Sequence, residues 1–395
     1  MIKLNNINDV SKKECTGCMC CQNVCPKNCI KKVTDEEGFV FPQIDTNKCI
    51  GCSLCLKKCQ IFSEPERNTP IRTLAIQIKD ENSLKNSASG GVAYEICKSA
   101  ILAGGVAYGA VFNENFEVFH ERAASCKDLI KQQGSKYVQS DISRIYKPLK
   151  KDCESGIMVV VVGTPCQIAA IKKYLNKDYE NLLLIDLICH GVPNQNLFSS
   201  YLEYKKMKMN DGKIKDYQFR CKNRGWGTTY KIKTENKQQL GNAMQETYYS
   251  DFVEALNYRE SCYNCHYATI ERIGDITIGD FWGINKKKNI NFDYTKGVSC
   301  VLINNSKGQK FIDTILSKCF FVETSLDEIK KENSNLVAPA KRPKIRNEYY
   351  IKINKEGINF SKKLLFKKKS YYKSLLKEMV PSSVKKIIKR RMLKK

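Results

Sequence analysis

Ten of the chain's twenty cysteines lie in its first sixty residues, and eight of these repeat one spacing twice. The first run is Cys15-x2-Cys18-x2-Cys21-x3-Cys25-Pro26 and the second Cys49-x2-Cys52-x2-Cys55-x3-Cys59. Three thiolates on one short loop can reach three irons of a 4Fe–4S cube, and the fourth iron needs a ligand from elsewhere. Two such runs satisfy each other by exchanging their fourth cysteines. The expected ligand sets are therefore Cys15, Cys18, Cys21 and Cys59 for one cluster, and Cys49, Cys52, Cys55 and Cys25 for the other. Such a pair of clusters moves electrons singly.

Two other chemistries use closely spaced cysteines. Zinc is satisfied by four ligands, usually as two C-x2-C pairs, and these runs exceed that need. Disulfides require an oxidising compartment. Cys20 and Cys29 fall outside the pattern and read as small buried hydrophobes beside the clusters.

Further along, Cys262 and Cys265 form one C-x2-C, which is half a metal site. Cys166, Cys189 and Cys221 are the available sources of further thiolates, and a third site of Cys166, Cys189, Cys262 and Cys265 is a candidate. The alternative is a set of reduced structural thiols. Cys97, Cys126, Cys153, Cys300 and Cys319 lack such context and read as buried hydrophobes. His190 and His266 could be ligands or proton donors. His120, in a polar strand segment, is expected to be exposed and inert. Ser87–Gly91 and Val162–Gln167 are tight turns before helices, which suit a phosphate or the edge of a flavin. Neither matches a dinucleotide fingerprint or a P-loop.

These residues need a scaffold, and its outline is visible. TLAIQI, IMVVVVG and NLLLIDL are nearly continuous apolar runs separated by helical patterns such as GGVAYEICKSAILAGG and TPCQIAAIKKYL. That alternation indicates an α/β core covered on both faces. VAYGAVF and FEVFHERA read as paired strands. IKDYQFRCK, TYKIKTE and DITIGDFWG alternate more strictly and look antiparallel. The reading gives three parts: residues 1–63 as a cluster unit, 70–345 as the mixed α/β core, and 346–395 as a basic helical tail.

The 395 residues carry a net charge of +26. From Ser361 onward there are fourteen Lys and Arg against one acid, Glu378, a net of +13. Basic and apolar residues interleave there, and SSVKKIIKRRMLKK has helical spacing after a serine cap. Such a segment lies readily on an anionic membrane surface; the alternative is a solvated tail. Nucleic acid is disfavoured, because no recognition module is present. MIKLNNINDV lacks an apolar signal core, and no apolar run reaches the ~18–20 residues of a membrane span. The expectation is a cytoplasmic protein, with peripheral contact at the inner membrane face through the tail.

The chain resembles the coenzyme F420 hydrogenase/dehydrogenase beta subunit family, in its form with an N-terminal two-cluster ferredoxin unit. The resemblance rests on SASGGVAYEIC, GSKYVQSD, VVGTPCQIAAIKKY, IDLICHGVPN, FRCKNRGWG and SCYNCHYATIERIGDITIGDFWG. It implies an FAD-binding core that exchanges electrons with the clusters. Ser89, Gly90, Gly91, Thr164 and Gln167, together with Asp280, would lie near the flavin or its phosphates, and Trp226 and Trp282 would help wall the pocket. The implied partners are a ferredoxin or another low-potential carrier, and an organic substrate of unidentified kind. Many chains of this sequence type resemble proteins from surface-polysaccharide clusters, so a place in such a pathway is a further implication of the resemblance. A second reading is an electron-relay subunit between a soluble carrier, ferredoxin or coenzyme F420, and a partner enzyme.

Overall fold

The computed structural model describes residues 6–287 and 290–379. Among these, a hairpin of β1 (Ile30–Thr34) and β2 (Val40–Ile44) belongs to the cysteine-rich unit. The core's strands are β3 (Arg72–Ile78), β4 (Val106–Phe112), β5 (Val118–Ala123), β6 (Val159–Gly163) and β7 (Leu182–Leu187). They are followed by β8 (Asp216–Gln218), β9 (Thr229–Lys233), β10 (Gln238–Asn242), β11 (Ile276–Asp280), β12 (Ser299–Ile303) and β13 (Cys319–Glu323).

Eight of these form one mixed sheet in the order β13-β3-β12-β11-β7-β6-β4-β5. Strands β4, β6, β7 and β11 run parallel, while β12 is antiparallel to both β11 and β3. The apolar runs are continuous because both faces are covered. Val160, Leu183 and Ile185 pack under the helices Val92–Leu102 and Ser306–Leu316. Their neighbours Val159, Val161, Leu182 and Leu184 pack under Tyr146–Glu154 and Pro165–Leu175. The strand DITIGD, whose alternation suggests antiparallel pairing throughout, pairs parallel with β7 on one side and antiparallel with β12 on the other. A second, aromatic core gathers the helix Gln195–Met209 and the small sheet β8–β10 around Phe198, Tyr201, Tyr217 and Tyr248. Among the described residues, no helix is long and apolar enough to cross a membrane.

The cysteine-rich unit is bolted to this core. The buried Arg259 donates from Nε to the Cys15 carbonyl at 2.8 Å and from Nη2 to the Val40 carbonyl at 2.9 Å. Tyr146 Oη donates to the Cys18 carbonyl at 2.9 Å, and Gln139 Nε2 to the Thr16 carbonyl at 2.9 Å. Arg346 is buried and pairs with Glu37. Residues 346–368, the first part of the segment expected as a basic tail, are seated on the core. Tyr349, Tyr350 and Phe360 join the aromatic cluster, and Lys368 pairs with the buried Asp251 at 2.8 Å. Residues 380–395, including the SSVKKIIKRRMLKK pattern, lie outside the described residues.

His120 corrects an expectation. It is buried rather than exposed, because β5 is covered by the loop that follows it. Its ring bonds Ser140 Oγ at 2.7 Å and the Val162 carbonyl at 2.9 Å. Burial pulls its pKa down from 6.5 to about 4, with nearby Asp141 acting upward and Lys136 downward. The folded chain thus keeps the ring neutral, whereas the unfolded chain protonates it near 6.5. The contribution is full above pH 6.5 and is lost as pH falls toward 4, at up to about 1.4 kcal/mol per pH unit. In denaturant titrations across that window, the His120→Gln chain should lose stability less steeply than its parent. Equal slopes would show that the ring is not held neutral.

Candidate functional site

The two cysteine runs fold alike. Gly17 and Gly51 both have φ of +67°, and Met19 and Ser53 follow at +57° and +56°. The left-handed turn at each glycine swings the loop back on itself, a conformation that costs glycine little. It delivers the third cysteine of each run onto a short helix, Cys20–Val24 or Leu54–Lys57.

Cys15, Cys18 and Cys21 line one cavity, and Cys59 from the second run lines it too. Burial pushes the Cys59 thiol up to about 12, with Cys18 and Cys15 adding to the rise. Cys25, Cys49 and Cys55 pack together around Cys29, whose sulfur is 3.4 Å from that of Cys25. Cys52, beside Cys55, is exposed. The first group is therefore enclosed and the second reaches the surface.

A larger cavity opens between the cysteine-rich unit and the core. Cys166, Cys189, Cys262 and Cys265 all line it. They come from three elements. Cys166 sits in the first turn of Pro165–Leu175, whose capping box joins Thr164 and Gln167. Cys189 follows the end of β7. Cys262 lies in the short 3-10 helix Glu260–Asn264, and Cys265 caps it. Burial raises all four thiols, Cys166 and Cys262 to about 12, and they act on one another electrostatically. Cys221 is placed elsewhere, near Lys231 and Asp216.

Arg272 fixes this loop. Its Nη1 donates to the carbonyls of Tyr267 and Thr269, both at 2.9 Å, and Nη2 to Asp186 at 2.8 Å and the Leu187 carbonyl at 3.2 Å. One guanidinium thereby ties the segment after Cys265 to the strand that precedes Cys189. His266 bridges Glu64 and Glu14, at 2.7 and 2.9 Å, over the same cavity.

Among the described residues, no three His, Cys, Asp or Glu side chains close on a point that would hold a single metal ion. Zinc would draw its thiolates to about 2.3 Å from one centre. The four thiols line one cavity and act on one another electrostatically, so they are placed to serve one multi-iron cube in which each thiolate meets its own iron. Thr16 and Ile61 line both cavities, and Cys18 lies close enough to Cys166 to raise its pKa.

The six residues expected near a flavin fall into two groups. Thr164 and Gln167 flank the larger cavity's thiols, and their polar groups are engaged locally: Thr164 N–H donates to Gln167 Oε1 at 3.0 Å, and Gln167 Nε2 donates to the Ser140 carbonyl at 2.9 Å. Asp280 ends β11, two strands from β6 and about 10 Å across the sheet, and Ser89, Gly90 and Gly91 lie one to two strands farther on, over the start of β12 and the end of β3. Ser89 Oγ donates to the Val298 carbonyl at 2.7 Å, and Gly90 N–H to Ser299 Oγ at 3.0 Å. A Cβ on Gly90 would meet the Ile76 carbonyl at 2.1 Å, so only glycine lets the turn lie this close to the sheet.

Charged and aromatic groups surround this second group. Asp280 pairs with the buried Arg220 and accepts from Trp226 Nε1 at 3.1 Å. The rings of Trp226 and Trp282 stack at 5.0 Å. Arg220 Nη2 is buried with no hydrogen-bond partner. Lys222 Nζ donates to the carbonyls of Leu84 and Ser89, and burial lowers its pKa to about 7. His190 faces the thiol cavity on one side and feels Asp280 and Arg220 on the other. An orphan guanidinium nitrogen, a lysine and a glycine turn, set at the ends of parallel strands, are the donors that the phosphates or carbonyl oxygens of a flavin require. Arg220, Lys222, Arg259 and Arg272 carry no spacing signal. Only the FRCKNRGWG and ATIERIGD stretches hint at Arg220, Lys222 and Arg272.

Residues 157–328 match the family described as the C terminus of the coenzyme F420 hydrogenase/dehydrogenase beta subunit. An uncharacterized protein of Methanocaldococcus jannaschii, MJ1349, is 26% identical over 344 residues, which are 75% of this chain and 85% of that protein. An uncharacterized ferredoxin of the same organism, MJ0722, is 32% identical over 76 residues, 19% of this chain and 91% of the ferredoxin. A chain in the structure of the F420-reducing NiFe hydrogenase complex from Methanosarcina barkeri aligns with a TM-score of 0.43 and 16% identity, covering 77% of this chain and 94% of that one.

Proposed function

We propose, from the match of residues 157–328 to the C-terminal family of the coenzyme F420 hydrogenase/dehydrogenase beta subunit, that the chain is an iron–sulfur flavoprotein oxidoreductase in which three thiolate sites lead from the surface to an FAD pocket. The observation that carries this reading is the shared wall. Thr16 and Ile61 border both the Cys15/Cys18/Cys21/Cys59 cavity and the Cys166/Cys189/Cys262/Cys265 cavity.

Clusters in these sites would supply single-electron steps, and FAD the exchange between one- and two-electron chemistry. The chain's own residues set the order. Exposed Cys52 marks the end where a soluble carrier can approach. Arg259 and Tyr146 hold the Cys15 and Cys18 backbone against the core. Arg272 orients the Cys262–Cys265 loop, and His190 stands between the third thiol set and Asp280. Arg220 offers its unpartnered Nη2, and Lys222 an amine whose pKa burial lowers to about 7, where Ser89–Gly91 brings bare backbone to the sheet. These donors favour an anionic ligand or a reduced flavin ring, and binding an anion would draw Lys222 toward its protonated form. The stacked rings of Trp226 and Trp282 lie against Asp280 and Arg220, which limits water there.

Anaerobically purified protein should hold roughly twelve irons per chain, four for each thiolate set, and bind FAD non-covalently. The Cys25→Ser chain should lose about four of them, from the site completed by Cys49, Cys52 and Cys55. The broad visible absorbance of the remaining clusters should still bleach with dithionite. Stoichiometric zinc without iron, or full iron with no bindable flavin, would reject the proposal. Loss of the enclosed cluster in place of the exposed one would overturn the exchange of fourth ligands.

A further inference from the structure

The helix Lys369–Met379 shows two unlike faces. Ser374 is buried, and Tyr371 and Leu375 are half-buried against the body of the protein. On the outer side Tyr372, Leu376 and Met379 are 52%, 65% and 78% exposed. Their spacing of four and then three residues places them in one row. Phe366, 53% exposed, precedes them at the end of Ile358–Leu365. The row is edged by exposed Lys367, Lys369 and Lys373. After residue 380 the sequence adds seven Lys and Arg and no Asp or Glu.

A solvated helix has no use for a row of large apolar side chains, and a core helix does not ring its apolar face with lysines. Apolar side chains flanked by ammonium groups on flexible stems match the boundary between acyl chains and acidic headgroups. A protein partner would need an acidic rim of matching shape, whereas a lipid surface supplies diffuse negative charge to any arrangement of lysines. We propose that the Tyr372–Leu376–Met379 face docks the protein on an anionic phospholipid surface, independently of the electron-transfer reading.

The anchor of this helix is distinct from its docking face. Lys368 is buried against Asp251 at 2.8 Å and Ser250 at 3.0 Å, and Ser361 also bonds Asp251. A deletion from Ser361 would therefore damage the core, and point substitutions on the outer row are the cleaner probe.

The full chain should sediment with vesicles of phosphatidylcholine mixed with phosphatidylglycerol and not with phosphatidylcholine alone, and added salt should weaken the binding. A chain with Tyr372→Ser, Leu376→Ser and Met379→Ser should partition roughly tenfold or more weakly. A chain with Lys367→Glu, Lys369→Glu and Lys373→Glu should lose the preference for acidic lipid. Unchanged melting temperature and iron content identify variants that remain folded. If the serine variant misfolds, the lysine variant still decides the matter. Equal binding to both vesicle types would overturn the proposal. So would serine substitutions that leave partition unchanged, or that turn a dimer into a monomer in light scattering, since the face would then join two copies of the chain.

Discussion

Replacing Cys189 or Cys262 with serine should remove about four of about twelve irons and, in the proposed oxidoreductase, disconnect the FAD site from the two clusters of the cysteine-rich unit. The two sites left would still take electrons from dithionite or reduced ferredoxin, so their visible bands should still bleach. Flavin reduction by ferredoxin should slow beyond the roughly 10–100-fold loss typical of outer-shell changes, because a direct ligand is gone. No spare thiol can stand in. Cys221 lies on another part of the core, near Lys231 and Asp216, and Cys300 is buried within the sheet behind Asp280. Iron analysis and stopped-flow absorbance read the two consequences separately. Unchanged iron in both variants would mean that the Cys166/Cys189/Cys262/Cys265 set is structural only.

Arg272→Met should be the most damaging single change outside the cysteines. Asp186 is fully buried, and its carboxylate receives Arg272 Nη2 at 2.8 Å and the Gly274 N–H at 2.8 Å. Removing the guanidinium leaves a buried charge without its counter-ion, at a cost of about 3–5 kcal/mol. It also frees the carbonyls of Tyr267 and Thr269, which follow Cys265. The variant should thus melt earlier and lose the same third portion of iron as Cys262→Ser. Arg272→Lys restores the charge without the fork of donors, so it should recover part of the stability and less of the iron. A loss below about 1 kcal/mol, the scale of a surface ion pair, with iron retained, would show that the loop is held by other contacts.

What the sequence reveals follows from how local each signal is. Fixed cysteine spacing survives as loop geometry, and the repeated glycine turns at Gly17 and Gly51 make the two runs fold alike. The strand–turn–helix junction at Val159–Leu175 is equally plain, because a buried strand and a capped helix each carry their own pattern. The coming together of Cys166, Cys189, Cys262 and Cys265 needs the sheet order, which puts β6, β7 and β11 side by side. His120 misleads because a polar strand segment reads as open to water, whereas Ser140 and the Val162 carbonyl satisfy both ring nitrogens inside. Arg259 is illegible and Arg272 only hinted at by its stretch, since nothing in a run of residues announces a charge that will be buried by distant backbone. Basic composition likewise hides the seating of residues 346–368 on the aromatic core, where Tyr349, Tyr350 and Phe360 weigh more than the lysines between them.

The way the cysteine-rich unit is fastened also bears on speed. Arg259, Tyr146, Gln139 and Arg346 each reach across to its backbone or to Glu37, from four separate segments of the core. A redox unit on a free tether must swing, and its turnover then carries the drag of the surrounding liquid. Here the gap between thiol sites is set at folding and does not wait on domain motion. Thickening the solvent with sucrose should therefore burden only the meeting with an outside carrier and leave transfer within the molecule at its own pace.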